Sequence, residues 1–223
     1  MTATQRRERD RRLRHELIVR TARDLAEAEG WDAVTTRRLA ERVEYSQPVL
    51  YSHFENKDAI VRAVAIEGFV DMAAQLRSAR RDAPSRDAAV RALAQAYLDF
   101  ATAHPALYEA MFSLPIDVRF ATPGQTPQPL QDAFAQFVAV LDPDHSGTAE
   151  APDGVAAGAG ETAPAAEAGV PGAFPTGEVG ILAEVFWSAL HGLATLARRG
   201  RLPAEAQPAR LDLLLTRLAG AHS

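Results

Sequence analysis

The residues from Ser46 to His53 carry the side chains of this sequence that are best suited to specific recognition. If this stretch is helical, Leu50 and Phe54 lie one turn apart and anchor it to a core. The remaining side chains then face outward, and they are small, uncharged and hydrogen-bonding. Such groups can contact the edges of DNA bases, as glutamine does with adenine and valine with a thymine methyl group. The residues predicted to face outward are Ser46, Gln47, Pro48, Val49, Tyr51, Ser52 and His53.

Other kinds of chemistry have little support in the sequence. The chain has no cysteine, which excludes disulfides, thiolate catalysis and cysteine-based metal sites. The histidines never pair three or four residues apart, so zinc ligation is not indicated. Ser188 and His191 lack the surroundings of a nucleophile elbow, and we interpret His191 and Trp187 as packing residues. We therefore expect no catalytic residue, no cofactor and no metal, and hence no enzyme.

Charge is distributed unevenly along the chain. The formal net charge is -5, yet the first 62 residues are slightly basic and the remainder is acidic. Arginines are concentrated at the N-terminus, where residues 1–12 are predicted to form an arginine-rich arm. This asymmetry indicates that only the N-terminal part meets a polyanion, although a solvated charged tail is equally compatible with it. No stretch of about 18 uncharged apolar residues suggests a membrane span, so we expect a cytoplasmic protein with no membrane partner.

Most of the chain, including the segments that must position Ser46 to His53, has the apolar periodicity of α-helices, and we find no convincing strand. The predicted fold class is therefore all-α. One interruption, at about residues 143–177, is rich in Ala, Gly and Pro and is predicted to be a flexible insertion. The predicted helices cover about residues 11–29, 37–43, 47–54, 57–81, 86–103, 105–114, 128–141, 178–199 and 208–220.

The first three helices have the arrangement of a helix-turn-helix. Two short helices joined by a tight turn and braced by a longer one can present the second short helix to the major groove. Thr35 or Thr36, Ser46 and Asn56 are suited to cap the second, third and fourth helices. The fourth helix also places Lys57 in its first turn, beside backbone N–H groups that favour anions.

These residues resemble the DNA-binding domain of the tetracycline-repressor (TetR) family of transcriptional regulators, over about residues 13–62. The stretch from Trp187 to Gly192 is similar to the W-x-x-x-H-G signature of one C-terminal subclass of that family. The residues that carry the first resemblance are Ile18, Ala22, Leu25, Gly30, Trp31, Val34, Thr35, Thr36, Leu39, Ala40, Val43, Ser46, Gln47, Pro48, Val49, Leu50, Tyr51, Ser52, His53, Phe54, Asn56 and Lys57.

The resemblance implies a helix-turn-helix domain over residues 1–62 and a helical effector-binding and dimerisation domain over residues 63–223. It implies a homodimer that binds a palindromic operator, usually as a repressor, and is released by a small-molecule effector. Glu44 departs from the family, which usually has glycine there because the turn favours a left-handed conformation. Either Glu44 is strained by about 1 kcal/mol or the turn takes another shape, and its carboxylate would repel a nearby phosphate. By motif position the DNA contacts would be Thr36, Arg37, Gln47, Tyr51, His53 and Lys57.

The helix predicted at 178–199 has two apolar faces, which suggests two partners. One stripe, containing Leu182, Phe186, Ala189 and Leu193, is expected to face the protein's own core, with Trp187 and His191 opposite. The second face is expected to pack on a second subunit, although burial within one domain is the alternative. The predicted dimer interface comprises Ile181, Val185, Ser188, Gly192 and Leu196, completed by Leu211 and Leu215 of the last helix.

Bulky apolar residues in the larger domain suggest where an effector would bind. The absence of clustered charge among them indicates an apolar or aromatic ligand. Two other functions remain open from sequence: a helical enzyme with a non-functional helix-turn-helix, and a protein-interaction module. The predicted pocket residues are Met111, Phe112, Phe134, Phe137 and Phe186.

Overall fold

A computed structural model of the chain describes residues 2–115, 125–142 and 177–219. Within these ranges there are nine α-helices and no strand, so the predicted all-α fold class is confirmed. The insertion predicted at 143–177 lies outside the described residues except for Gly177. The helices are α1 (Ala3–Glu29), α2 (Thr36–Val43), α3 (Gln47–His53), α4 (Lys57–Arg81), α5 (Arg86–Ala103), α6 (Pro105–Phe112), α7 (Gln128–Leu141), α8 (Glu178–Arg198) and α9 (Gln207–Ala219).

The arginine-rich N-terminus is helical, which corrects the predicted arm. Helix α1 begins at Ala3 rather than near residue 11. A capping box explains the early start, because the Thr2 hydroxyl accepts from the Gln5 backbone N–H while the Gln5 side chain accepts from the Thr2 backbone. Arginine and glutamate also have high helix propensity, and they need no buried face to remain helical at a solvated end.

Capping residues fix the ends of the short helices. The Thr35 side chain accepts from the Arg38 N–H at the start of α2, and Asn56 accepts from the Ala59 N–H at the start of α4. Ser46 has the extended conformation of an N-cap, but its side chain makes no capping hydrogen bond. The third helix nevertheless forms between its predicted ends, since Pro48 suits the first turn.

Helix α4 is the central element, and it packs against α1, α5, α6 and α7. It crosses the predicted domain boundary at residues 62 and 63 without a break. Gly68 allows α6 to approach closely, because a Cβ atom there would lie 2.7 Å from Met111 Sδ and 2.8 Å from a Leu107 methyl group. The helix that supports the N-terminal domain is therefore in direct contact with α6.

Helix α8 buries a different stripe from the predicted one. Phe186 is buried as expected, but its buried companions are Ala183, Leu190 and Ala194, while Leu182 and Leu193 are only half-buried. Trp187 and His191 turn toward α5 and α6 rather than away from the core, because they hydrogen-bond with tyrosines of those helices. The predicted and observed stripes share Phe186. The other predicted members each lie one residue before a residue that is buried in the structure.

By length and composition, α8 is also the one helix of the described ranges that could span a membrane, with a mean hydropathy of 1.5 over its most apolar window. Length and composition alone are weak evidence of a span, and 28% of that window is buried inside the described chain, including Phe186 and Leu190.

Candidate nucleic-acid interface and ligand cavity

The outward face of α3 has the composition expected from sequence. Leu50 is buried and fixes the helix to the core, with Phe54 buried just beyond its C-terminus. Tyr51 is 52% exposed. Val49 and His53 are half-buried, which places them at the edges of the face. The exposed residues on or beside this face are Ser46, Gln47, Pro48, Tyr51 and Ser52.

Helix α2 has three arginines, and two of them are used to hold it in place. Arg38 makes a paired hydrogen bond with the Glu29 carboxylate of α1 at 2.8 and 2.9 Å, and Arg42 contacts the same carboxylate at 3.3 Å. Arg37 instead pairs with Glu41 within α2, and both side chains are largely exposed. Such a solvated pair is weak, so Arg37 can exchange Glu41 for a phosphate or a base edge. Thr36 is half-buried beside it.

Glu44 forms the turn between α2 and α3 in the left-handed conformation, with φ 59° and ψ 33°. It is the only non-glycine residue of the described ranges with a positive φ. The expectation that this position needs a left-handed backbone is therefore confirmed. The conformation strains a residue with a Cβ by about 1 kcal/mol, and the turn keeps its shape because Glu44 and Tyr45 both donate their N–H groups to the Ala40 carbonyl.

Lys57 lies in the first turn of α4 as predicted, but its ammonium group is directed back into the protein. The Nζ atom donates to the Trp31 carbonyl oxygen at 2.7 Å, and the side chain is half-buried. An ammonium group has three hydrogens, so this bond leaves donors for a phosphate oxygen. The predicted phosphate contact stays a prediction, and the contact with Trp31 gives Lys57 a structural role that its sequence position did not show.

The N-terminal half of α1 runs beside the C-terminal end of α3, which the sequence did not reveal. The His15 ring stacks on Phe54 with centroids 4.5 Å apart and lies 6.5 Å from His53. Burial, followed by the charges of His15, Arg11 and Arg14, lowers the pKa of His53. His53 therefore stays neutral near pH 7 and can donate a hydrogen bond, whereas Arg11 and Arg14 supply positive charge. The excess of arginine near the N-terminus was the only feature of the sequence that indicated a role for Arg11 and Arg14.

Two side chains of the N-terminal domain hold the first turn of α6. The Glu27 carboxylate accepts from the backbone N–H groups of Ala106 at 3.0 Å and of Leu107 at 2.9 Å. Trp31 Nε1 donates to the Ala106 carbonyl at 2.8 Å. An anion is favourable at a helix N-terminus because the first N–H groups there have no partner within the helix. These bonds join the N-terminal domain directly to α6, and no sequence pattern indicated them.

A small aromatic cavity of about 20 Å³ lies between α4, α6, α7 and α8. Three of the five predicted pocket residues line it: Phe112, Phe134 and Phe137. Met111 and Phe186 do not line it, because Met111 packs against α4 beside Gly68 and Phe186 is fully buried against Phe137. Other lining residues that sequence reasoning did not select are Phe69, Met72, Leu130, Ala133 and Trp187.

A second pocket, of about 210 Å³ and polar in character, lies between α6 and α8. It is lined by Tyr108, Glu109, Ser113, Thr195, Arg198 and Arg199. Tyr108 also contacts a buried polar cluster, in which its hydroxyl lies 2.9 Å from the Tyr97 hydroxyl and 2.7 Å from His191 Nδ1. His191 is thus a hydrogen-bonded residue within the fold, in agreement with its interpretation as a packing residue.

The second face of α8 is exposed in the single chain. Ile181 and Val185 are 56% and 55% exposed, and Leu196 is 39% exposed. Ser188 is also exposed and Gly192 half-buried. Whether this face forms a dimer interface stays a prediction.

Helix α9 corrects one predicted interface residue. Leu211 is buried within the chain, and the neighbouring Asp212 pairs with Arg91 of α5, so Leu211 faces its own domain. Leu215 is half-buried, and its place in the interface stays a prediction. The exposed leucine of this helix is Leu213, at 59%. Across the part of the chain that the structure describes, no cluster of three or more histidine or acidic side chains could hold a metal ion.

The fold and its exposed third helix define an all-α protein in which a helix-turn-helix is joined to a helical bundle with internal cavities. Two family models match this chain: "Bacterial regulatory proteins, tetR family" over residues 18–64 and "Tetracyclin repressor-like, C-terminal domain" over residues 90–219. The second covers more than half of the sequence. The chain belongs to the TetR family of bacterial regulatory proteins.

Individual relatives agree with this assignment. The tetracycline repressor protein class C of Escherichia coli is 48% identical over 54 residues, 24% of this chain and 25% of that protein. A Rhodococcus sp. RHA1 protein of unknown function has a similar structure, with 26% identity, a TM-score of 0.62 and coverage of 92% of this chain and 95% of the other. A TetR variant from Acinetobacter baumannii AYE, in complex with minocycline, has 17% identity, a TM-score of 0.57 and coverage of 91% and 93%. The matches span about half or less of the length of the curated relatives.

Proposed function

We propose that this protein is a ligand-responsive transcriptional regulator that binds a palindromic DNA operator as a homodimer. The observation that carries the proposal is the face of α3, where Gln47, Tyr51 and Ser52 are exposed while Leu50 and Phe54 fix the helix to the core. The match of the N-terminal helices to a model of regulatory proteins supports it. As an intracellular DNA-binding protein it would act in the cytoplasm, and repression is the expected direction of control.

In this proposal α3 enters the major groove and the flanking residues hold the phosphates. Gln47 reads an adenine edge, Val49 contacts a thymine methyl group, and Arg37 reaches a guanine after releasing Glu41. Tyr51, His53 and Lys57, together with Arg11 and Arg14 of α1, contact phosphate oxygens. The exposed apolar face of α8 pairs with the same face of a second subunit. Two copies of α3 then meet half-sites whose centres are about 34–36 Å apart, or a multiple of that distance.

A ligand in the larger domain would act by changing the distance between the two recognition helices. Helix α4 belongs to both domains, and α6 contacts the N-terminal domain through Glu27 and Trp31. Helix α6 also supplies Phe112 to the aromatic cavity. A ligand that favours one position of α6 therefore shifts the DNA-binding equilibrium through rigid contacts. The minocycline complex of the Acinetobacter relative supports a small-molecule ligand by analogy.

The test is binding of the purified protein to the DNA upstream of its own gene at increasing salt. A DNA-binding regulator that releases counterions loses affinity steeply between about 50 and 200 mM salt. A footprint on this DNA with two symmetric halves would support the dimeric mode. Absence of binding, or binding that does not change with salt, would contradict the proposal and favour an enzyme or a protein-interaction module.

A further inference from the structure

The first half of α1 extends beyond the core of the described chain. Every residue from Ala3 to Arg14 is helical and exposed. This segment, which we call the basic extension, carries six arginines against two acidic residues. We propose that the basic extension is a second DNA-binding element, which follows the phosphate backbone beside the half-site that α3 contacts. Its place on an operator rests on the proposed function, whereas its affinity for duplex DNA does not.

One face of the basic extension continues the buried stripe of α1. That stripe contains Ile18 and Leu25, which are both completely buried. At the helical spacing of three and four residues, it continues toward the N-terminus through Arg14, Arg11 and Arg7. These three arginines, which we call the arginine face, therefore share the side of α1 that packs on the rest of the N-terminal domain, past the point where the core ends.

The arginine face lies beside the C-terminal end of α3. The His15 ring, next to it on α1, is 6.5 Å from the His53 ring. Burial and His15, followed by the charges of Arg11 and Arg14, lower the pKa of His53, so these charges are close to the end of α3. A phosphate that His53 contacts is thus near Arg11 and Arg14, and Arg7 follows one turn further along the helix.

The arginine face is electrostatically unfavourable as long as it is free. Like charges three or four residues apart are neighbours on a helix surface and destabilise it, which applies to Arg7, Arg11 and Arg14. None of the three forms an ion pair within the described part of the chain, whereas Arg12 pairs with Glu16 at 3.5 Å. A row of phosphates would replace this repulsion by attraction, because each guanidinium group can donate to a phosphate oxygen.

The length of the basic extension suits several phosphates of one strand. From Ala3 to Arg14 the helix is about 18 Å long, at about 1.5 Å per residue. Phosphates follow one another along each DNA strand at about 3.4 Å of helix axis, so each arginine of the face has a phosphate within its own segment. Contacts with phosphates do not depend on base sequence. The basic extension would therefore hold the protein on DNA of any sequence.

The test compares two triple variants that lose the same charge. The first removes the arginine face and consists of Arg7→Gln, Arg11→Gln and Arg14→Gln. The control removes the arginines on the opposite side of the basic extension and consists of Arg6→Gln, Arg9→Gln and Arg12→Gln. Glutamine and arginine have similar helix propensities, so circular dichroism should show the same helix content in both variants.

Binding is measured at increasing salt to two duplexes of equal length, the DNA upstream of the protein's own gene and a scrambled sequence. We expect loss of the arginine face to lower the slope of log K against log salt by about 3 for each bound protomer, at about 0.9 per lost contact. The control should lower it by less than about 1. A hydroxyl-radical footprint on the upstream DNA should lose one protected patch in each half-site and keep the rest.

The other outcomes separate this proposal from the proposed function. Equal losses in the two variants, or a larger loss in the control, would show that the arginines act through total charge and not through a defined face. Unchanged slopes in both would show that the basic extension does not contact DNA, even where α3 binds an operator. Binding through the arginine face without preference for the upstream DNA would support the extension and contradict the operator. Failure of the wild type to bind either duplex would overturn both.

Discussion

Glu44 is strained because a residue with a Cβ occupies the left-handed region, at φ 59°. We expect Glu44→Gly to stabilise the protein by about 0.5–1 kcal/mol, since relief of this strain exceeds the entropy that glycine adds to the unfolded chain. The free energy of unfolding in denaturant measures the effect. Glu44→Ala is the matched control, because it removes the same carboxylate but keeps the strain. A gain of the same size in both variants would show that charge, not backbone conformation, limits stability here.

Gln47 and Lys57 are expected to contribute to DNA binding in different ways. Gln47→Ala should relax the preference at one base position by about 1–3 kcal/mol, because Gln47 is exposed on the groove-facing side of α3. Lys57→Ala should weaken binding to all sequences similarly and make the dependence on salt less steep. Competition between operators that differ at single base pairs separates the two effects. If Gln47→Ala lowered affinity for every operator equally, the assignment of α3 to base readout would be wrong.

At the scale of elements, the contact of Glu27 with the N-terminus of α6 joins the two domains. We expect Glu27→Gln to destabilise the protein by about 1 kcal/mol, because the amide keeps the shape but loses the negative charge at the helix terminus. Hydrogen exchange of the Ala106 and Leu107 amides should become faster in this variant, since these amides are the donors.

The control is Asp24→Asn, at an exposed acid on the same helix. This variant should change neither stability nor exchange at α6. Unaltered exchange of the two amides in Glu27→Gln would mean that the carboxylate does not hold α6.

At the scale of the whole molecule, the exposed face of α8 determines the predicted assembly. We expect Ile181→Glu combined with Val185→Glu to convert the protein to a monomer, because burying carboxylates in an apolar interface costs several kcal/mol. Sedimentation velocity measures the mass of the particle. DNA binding of this double variant should also be weaker than that of the wild type. Val70→Glu, at an exposed apolar residue of α4, is the control and should leave the mass unchanged. A wild-type protein that is a monomer at micromolar concentration would contradict the dimeric mode.

Elements with strong local signals were predictable from the amino-acid sequence alone. Caps at Thr35 and Asn56 marked the starts of α2 and α4, and Pro48 and Pro105 marked those of α3 and α6. The Leu50 and Phe54 anchors indicated the outward face of α3, because these effects act within one or two turns. The left-handed conformation at Glu44 was indicated only by the family resemblance, in which glycine is usual at this position.

The relations between distant elements became visible only in the folded molecule. Periodicity cannot show that Glu27 meets α6, that Lys57 bonds with the Trp31 carbonyl, or that Leu211 packs inward while Met111 lies beside Gly68 rather than in the cavity. Each of these depends on side chains far apart in sequence, whose meeting is determined by how whole helices pack. A helix wheel gives the direction of a side chain relative to its own axis, whereas a binding site also requires the position of the neighbouring axes.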